Sequence, residues 1–134
     1  MKENSFLGTW RLVSGDIVNS RGELAVRLTD GVLHYSADGL VAAQCALSPD
    51  SADEKMRLEV GDYIAYFGQY TVFPEEHRID HFVTASNVAA YVGTVLPRHF
   101  TFVGARLILR PDLRVQLSDG ARARGAFVWN RSGG

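Results

Sequence analysis

Hydrophobic and polar residues alternate along short segments of this chain, and turn-forming residues separate the segments. Between residues 24 and 29 aliphatic side chains alternate with Ala, Arg and Thr, which is typical of a strand with one buried face. Asp30-Gly31 and Asp38-Gly39 are predicted turns. The same reasoning predicts strands over residues 8–18, 24–29, 32–36, 40–46, 63–73, 78–85, 94–103, 106–110, 114–118 and 124–131.

One segment departs from this pattern. Residues 48–59 are polar and contain Pro49-Asp50-Ser51 followed by Asp53-Glu54-Lys55. We expect a loop with one short helix or lid near residues 50–60. Many short strands at regular spacing with almost no helix predict an all-β fold, either an antiparallel barrel or a sandwich.

Several motifs resemble those of a known family, the bacterial lipocalin-like domain proteins of the calycin group. The resemblance covers nearly the whole chain, and its most specific part is the order of aromatic residues around Gly68. The segments that carry it are Gly8–Val13, Tyr35–Gly39, Ala65–Val72, Ile79–Val83, Arg98 and Gly104–Leu109.

The resemblance implies a single domain over residues 1–134, a small closed antiparallel β-barrel of about 8 strands with an internal ligand cavity. It also implies that Trp10, in the Gly8-Thr9-Trp10 segment, covers the closed end of the barrel and that Arg131 stacks on its ring. Cation–π attraction of this kind contributes about 0.5–2 kcal/mol. The alternative is that Trp10 is an ordinary core aromatic.

Composition narrows the classes of partner. The chain has 134 residues, 46% of them hydrophobic, and a net charge of −1 with the two signs interspersed. This balance predicts no nucleic-acid partner. Its single cysteine, Cys45, cannot form an internal disulfide, and no apolar run has the length of a signal peptide or a membrane span. We therefore expect a cytoplasmic location and no membrane insertion.

Strand alternation predicts which side chains face the lumen. In residues 78–85, Ile79, His81 and Val83 share the inward face, because Asp80 and Thr84 belong in water. The other expected inward residues are Leu33, Tyr35, Leu96, Arg98, Phe100, Phe102, Leu107, Leu109, Phe127 and Trp129. Glycine in a strand often marks a bulge, so at Gly68 two alternatives stay open: either Gln69 faces inward, or Tyr66 and Tyr70 do.

Arg98 and His81 are the polar exceptions in this lumen. An unpaired buried charge costs several kcal/mol, and the carboxylates Glu59, Asp62 and Asp80 fall at strand ends or on the outer face. Arg98 therefore either binds an anionic or carbonyl-bearing ligand or extends its head into water at the rim. His81 is either a proton carrier or a hydrogen-bonded core residue.

These residues support two hypotheses of different classes. The first is a binding barrel for a small, largely apolar molecule with a carboxylate or carbonyl end, held by the predicted ligand-binding residues Tyr35, Tyr66, Gln69, Tyr70, His81, Arg98, Phe100 and Phe102. The second is an isomerase, cyclase or dehydratase without a cofactor, for which natural-product biosynthesis is a candidate role by analogy with other barrels. There Arg98 would stabilise an oxyanion and His81 or Tyr70 would move the proton.

A barrel of this size can be filled by its own side chains, so a ligand-free core is a third alternative. No metal site is expected, because His77 and His81 lie in a turn and a strand and do not share a helix face. A homodimer is a candidate assembly that the sequence does not decide.

Overall fold

Eight antiparallel strands form a closed barrel in the computed structural model, which describes residues 4–19, 21–50, 54–111 and 124–132. Each strand pairs with its neighbour in the sequence, and the last pairs with the first. The strands are β1 Gly8–Val18, β2 Leu24–Tyr35, β3 Leu40–Leu47, β4 Tyr63–Phe73, β5 Arg78–Ser86, β6 Val95–Val103, β7 Arg106–Pro111 and β8 Arg124–Arg131. This confirms the all-β prediction and decides for a barrel over a sandwich.

One short helix interrupts the strands, as predicted. Helix α1 covers Glu54–Val60 between β3 and β4, and single 3₁₀ turns lie at Pro74–Glu76 and Ala89–Tyr91. No helix within the described part of the chain has the length and apolarity that a membrane span needs.

The predicted turn at Asp30-Gly31 is wrong, because β2 runs through both residues. Arg11 on β1 donates two hydrogen bonds of 2.8 Å to the Asp30 carboxylate. In a turn this carboxylate would accept hydrogen bonds from nearby backbone N–H groups, whereas here the neighbouring strand supplies the donors. The irregularity appears instead as a shift in the β2–β3 register between Leu28 and Asp30. Gly31 lies in a tightly packed place, since a methyl group there would lie 2.9 Å from the Cys45 sulfur and 3.2 Å from the Gln44 carbonyl oxygen.

The predicted turn at Asp38-Gly39 is confirmed, with Gly39 in the left-handed region at a φ of +93°. The predicted strand at 114–118 lies outside the described residues.

The closed end of the barrel is covered by aromatic residues from the N-terminal segment and β1. Trp10 is 1% exposed, and its indole N–H donates to the Phe6 carbonyl oxygen at 2.9 Å. The Arg131 guanidinium lies 4.2 Å from the Trp10 ring centroid and donates to the carbonyl oxygens of Leu7 and Ser5. The predicted stacking of Arg131 on Trp10 is therefore present, and α1 and the Ala89–Tyr91 turn lie at the other end of the barrel.

Candidate functional site

A cavity of about 140 Å³ lies inside the barrel, in the half away from Trp10. Most of its wall is aliphatic or aromatic, and its polar side chains are Cys45, Tyr66, His81, Tyr91, Arg98 and Trp129. The described residues that line it are Ile17, Val26, Leu28, Leu33, Ala43, Cys45, Ile64, Tyr66, His81, Tyr91, Leu96, Arg98, Leu109, Pro111, Phe127 and Trp129.

The alternation of β4 continues through Gly68 without a change of face. The register between β4 and β5 shifts there, because Phe67 pairs with Ala85 while Gly68 pairs with Val83, which leaves Thr84 as the extra residue on β5. Of the two open alternatives, the structure therefore turns Tyr66 and Tyr70 inward. The third candidate, Gln69, is exposed on the outer face, so its prediction as a lumen residue is wrong.

Gly68 is the residue that permits this shift. A methyl group at Gly68 would lie 1.7 Å from the Phe82 carbonyl oxygen, which is backbone and cannot turn aside. Only glycine lets β5 approach β4 this closely, and the approach sets β5 in the register that brings His81 opposite Tyr70.

His81 is fixed in the wall of the cavity by two tyrosines. Its side chain is 1% exposed; Nε2 lies 2.7 Å from the Tyr35 hydroxyl, and Nδ1 lies 2.5 Å from the Tyr66 hydroxyl. Burial lowers the pKa of His81 to about 3, and the nearby positive charge of Arg98 acts in the same direction. The imidazole is therefore neutral near pH 7, with both ring nitrogens occupied.

Arg98 brings a positive charge to the same cavity. Its guanidinium lies 5.9 Å from the Phe127 ring centroid, and no carboxylate among the described residues pairs with it. Burial raises the pKa of Tyr66 to about 12, and the nearby positive charge of Arg98 opposes that rise. Tyr66, His81 and Arg98 thus form one polar group in a mostly apolar wall.

Four predicted site residues lie elsewhere. The Tyr70 hydroxyl accepts a hydrogen bond from Asn4 and donates one to the Ser36 carbonyl oxygen, both at 2.8 Å, and Tyr70 faces a groove at the closed end of the barrel. Tyr35 reaches His81 from the core without lining the cavity. Phe100 and Phe102 pack against Phe6, each with a ring-centroid distance of 5.0 Å.

Phe6 and Trp129 contribute to the barrel interior in ways that the sequence did not predict. Phe6 enters the lumen from the N-terminal segment, where no strand pattern predicts the direction of a side chain. Trp129 lines the cavity and is 3% exposed, and its buried indole N–H has no hydrogen-bond partner among the described residues. Its position on the inward face of β8 was predictable, whereas its unpaired N–H was not.

The described residues hold no cluster of three or more His, Cys, Asp or Glu side chains that could bind a metal ion. Cys45 lines the cavity, and burial raises the pKa of its thiol to about 12, so the thiolate is scarce at neutral pH. The arrangement can accept an apolar molecule and offer hydrogen-bond donors to one part of it. Cys45, the one cysteine of the chain, is therefore not an activated nucleophile.

Comparisons with known proteins agree with this architecture. A family model described as a lipocalin-like domain matches residues 7–132. Among solved structures, a redesigned β-barrel is similar, with a TM-score of 0.51, 13% sequence identity, and coverage of 96% of this chain and 92% of that chain. At that identity the likeness concerns the fold alone. No curated protein matches the sequence.

Proposed function

Because the chain belongs to the lipocalin-like domain family, we propose that it binds a small, largely apolar molecule with a carboxylate or carbonyl end inside the barrel. The family and the closed barrel support small-molecule binding in general. The end group and the size of the ligand are inferred from the cavity.

The position of Arg98 in the wall of an apolar cavity is the observation that supports this proposal most strongly. A guanidinium that faces an apolar cavity without a carboxylate partner is costly unless another group compensates its charge. A ligand carboxylate or carbonyl can accept its hydrogen bonds, and charge-assisted bonds of this kind are about twice as strong as neutral ones. Tyr66 lies beside Arg98 and adds a hydroxyl to the same place.

The volume of the cavity sets the size of the ligand. An apolar protein cavity of about 150 Å³ accommodates a molecule such as benzene. The 140 Å³ cavity therefore fits one ring or a short branched chain, with the polar group directed to Arg98. Extended fatty acids exceed this volume.

Three probes of similar ring size test the proposal: toluene, benzoate and aniline. We expect benzoate to bind most tightly, toluene more weakly and aniline most weakly, because Arg98 offers donors and positive charge. The Arg98→Met variant keeps the apolar stem and removes the charge. It should weaken benzoate binding about tenfold or more while leaving toluene binding within about twofold, as measured by titration calorimetry or NMR titration.

Arg110→Met is the matched control, because Arg110 is exposed on β7 and does not line the cavity. This variant should bind all three probes as the unaltered protein does. Equal losses of benzoate affinity in the two variants would show that net charge matters and that Arg98 is not the anchor. Failure of every probe to bind would contradict the cavity proposal itself.

The geometry favours binding over the enzymatic alternative. An isomerase, cyclase or dehydratase needs a group that moves a proton near neutral pH. The pKa of about 3 and the two hydrogen bonds of His81 remove it from that role. Tyr70 is bonded to Asn4 and Ser36 at the closed end and does not reach the cavity.

Location and assembly stay predictions. A cytoplasmic location rests on the sequence. A homodimer cannot form by simple extension of the sheet, since every one of the eight described strands already has two hydrogen-bonded neighbours in the barrel.

A further inference from the structure

Three side chains form a hydrogen-bonded chain from the core to the cavity. The Tyr35 hydroxyl lies 2.7 Å from His81 Nε2, and His81 Nδ1 lies 2.5 Å from the Tyr66 hydroxyl. A neutral imidazole carries one N–H and one lone pair, so it accepts a hydrogen bond at one nitrogen and donates at the other. The chain therefore has a direction, either from Tyr35 to Tyr66 or the reverse.

Tyr35 decides the direction. It is 1% exposed, it does not line the cavity, and His81 is the one hydrogen-bond partner of its hydroxyl within the described part of the chain. If His81 donated to Tyr35, the Tyr35 proton would be buried without an acceptor, and an unsatisfied buried donor is destabilising. Tyr35 satisfies its proton by donating to Nε2.

At the other end of the three hydrogen-bonded side chains, Tyr66 can accept a hydrogen bond from His81 without leaving its own proton buried and unsatisfied. It lines the cavity, and its hydroxyl oxygen can accept from His81 Nδ1–H while donating its own proton. An occupant of the cavity can then accept that proton in a hydrogen bond. In this arrangement every polar hydrogen of Tyr35, His81 and Tyr66 has an acceptor or faces the cavity.

We propose that Tyr35 holds His81 in its Nδ1–H tautomer and that His81 thereby makes Tyr66 a hydrogen-bond donor to the cavity. Tyr35 and His81 are then positioning residues. This inference rests on the proposed function and names the ligand class more closely. Tyr66 then joins Arg98 and Trp129 as a hydrogen-bond donor among the residues that line the cavity, where Tyr91 supplies one further hydroxyl. Beside Tyr66 and Arg98, the polar end of the ligand is an acceptor without a hydrogen of its own, such as a carboxylate, ketone or quinone oxygen.

The tautomer can be measured directly in the unaltered protein. Long-range ¹H–¹⁵N NMR correlations of histidine-labelled protein distinguish a protonated Nδ1 from a protonated Nε2. We expect His81 to carry its proton on Nδ1 near pH 7. A proton on Nε2 would overturn the inference, and this result depends neither on a variant nor on any ligand.

The functional consequence is tested with Tyr35→Phe, which removes one hydroxyl that does not touch the ligand. Without that donor, His81 Nε2 has no partner in either tautomer, so the hydrogen bond that selects Nδ1–H is lost and Tyr66 can donate its proton to His81 Nδ1 and not to the cavity. We expect benzoate affinity to fall about threefold to tenfold and toluene affinity to stay within about twofold. Tyr70→Phe, the matched control, removes a hydroxyl bonded to Asn4 and Ser36 and should change neither affinity.

A double variant separates positioning from general destabilisation. In a Tyr66→Phe background, Tyr35→Phe should have no further effect on benzoate affinity, because the hydroxyl through which it acts is absent. Additive losses would overturn the inference. If neither toluene nor benzoate binds the unaltered protein, the proposed function fails, whereas the tautomer measurement still stands.

Discussion

His81 shows at the scale of one residue how burial selects between two roles. Strand alternation predicts that it faces inward, and the structure confirms this with a side chain that is 1% exposed. The sequence could not decide between a proton carrier and a hydrogen-bonded core residue, because that depends on which partners the fold brings near. Tyr35, 46 positions away, and Tyr66 occupy both nitrogens, and burial keeps the ring neutral.

The lowered pKa of His81 makes the stability of the protein depend on pH. Between the ordinary value of 6.5 and about 3, the unfolded chain binds a proton that the folded protein does not bind. The free energy of unfolding should therefore fall as the pH is lowered through this range, by about 1.4 kcal/mol per pH unit from this group alone. Urea denaturation between pH 7 and pH 4.5 measures the slope.

His81→Gln is the comparison for that slope. It removes the titrating group that faces Tyr35, Tyr66 and Arg98, so its stability should be lower at pH 7 but should fall less steeply towards pH 4.5. Parallel pH profiles for the two proteins would contradict the assignment. The pH range of this measurement ends at pH 4.5, above the range in which protonation of Asp30 changes the free energy of unfolding. The pKa of Asp30 is lowered to about 2, mainly by the hydrogen bond from Arg11.

At the scale of the element, the pairing of β4 with β5 positions the polar group of the cavity. The close approach at Gly68 allows Thr84 to be the extra residue on β5, while β4 keeps Tyr66 and Tyr70 on its inner face. The alternation inside each strand was predictable from sequence. Which strand carries the extra residue was not, because it depends on the partner strand.

Gly68→Ala tests this pairing. The added methyl group would lie 1.7 Å from the Phe82 carbonyl oxygen, so one strand must move. We expect a loss of about 2–4 kcal/mol in the free energy of unfolding, measured by urea denaturation. Gly104→Ala is the control: Gly104 has a φ of +59° and open space around it, so the left-handed backbone alone should cost about 1 kcal/mol. Equal losses would show that the strands can separate at Gly68 without strain.

The turns show where local signals suffice. Asp38-Gly39 connects consecutive strands as predicted, with Gly39 in the left-handed conformation that the turn requires. Asp30-Gly31 has the same local signal, but Arg11 binds Asp30 across the strands and Gly31 packs against Cys45, so β2 continues. Contacts between distant segments overrode a correct local preference.

At the scale of the whole molecule, the barrel is divided into a filled half and a hollow half. Phe6, Trp10, Phe100 and Phe102 pack together at the closed end, and Arg131 covers Trp10. The cavity occupies the other half, with Arg98 in its wall. Strand alternation predicted the inward residues of both halves alike. It could not separate them, since the division depends on where the N-terminal segment inserts Phe6.

A crystal structure of the protein saturated with benzoate shows directly whether the barrel binds the ligand class that we propose. We expect the ring in the 140 Å³ cavity and the carboxylate within about 3.2 Å of the Arg98 guanidinium and the Tyr66 hydroxyl. Benzoate bound only in the groove near Tyr70 at the closed end, or a barrel interior closed over by its own side chains under saturating benzoate, would contradict it.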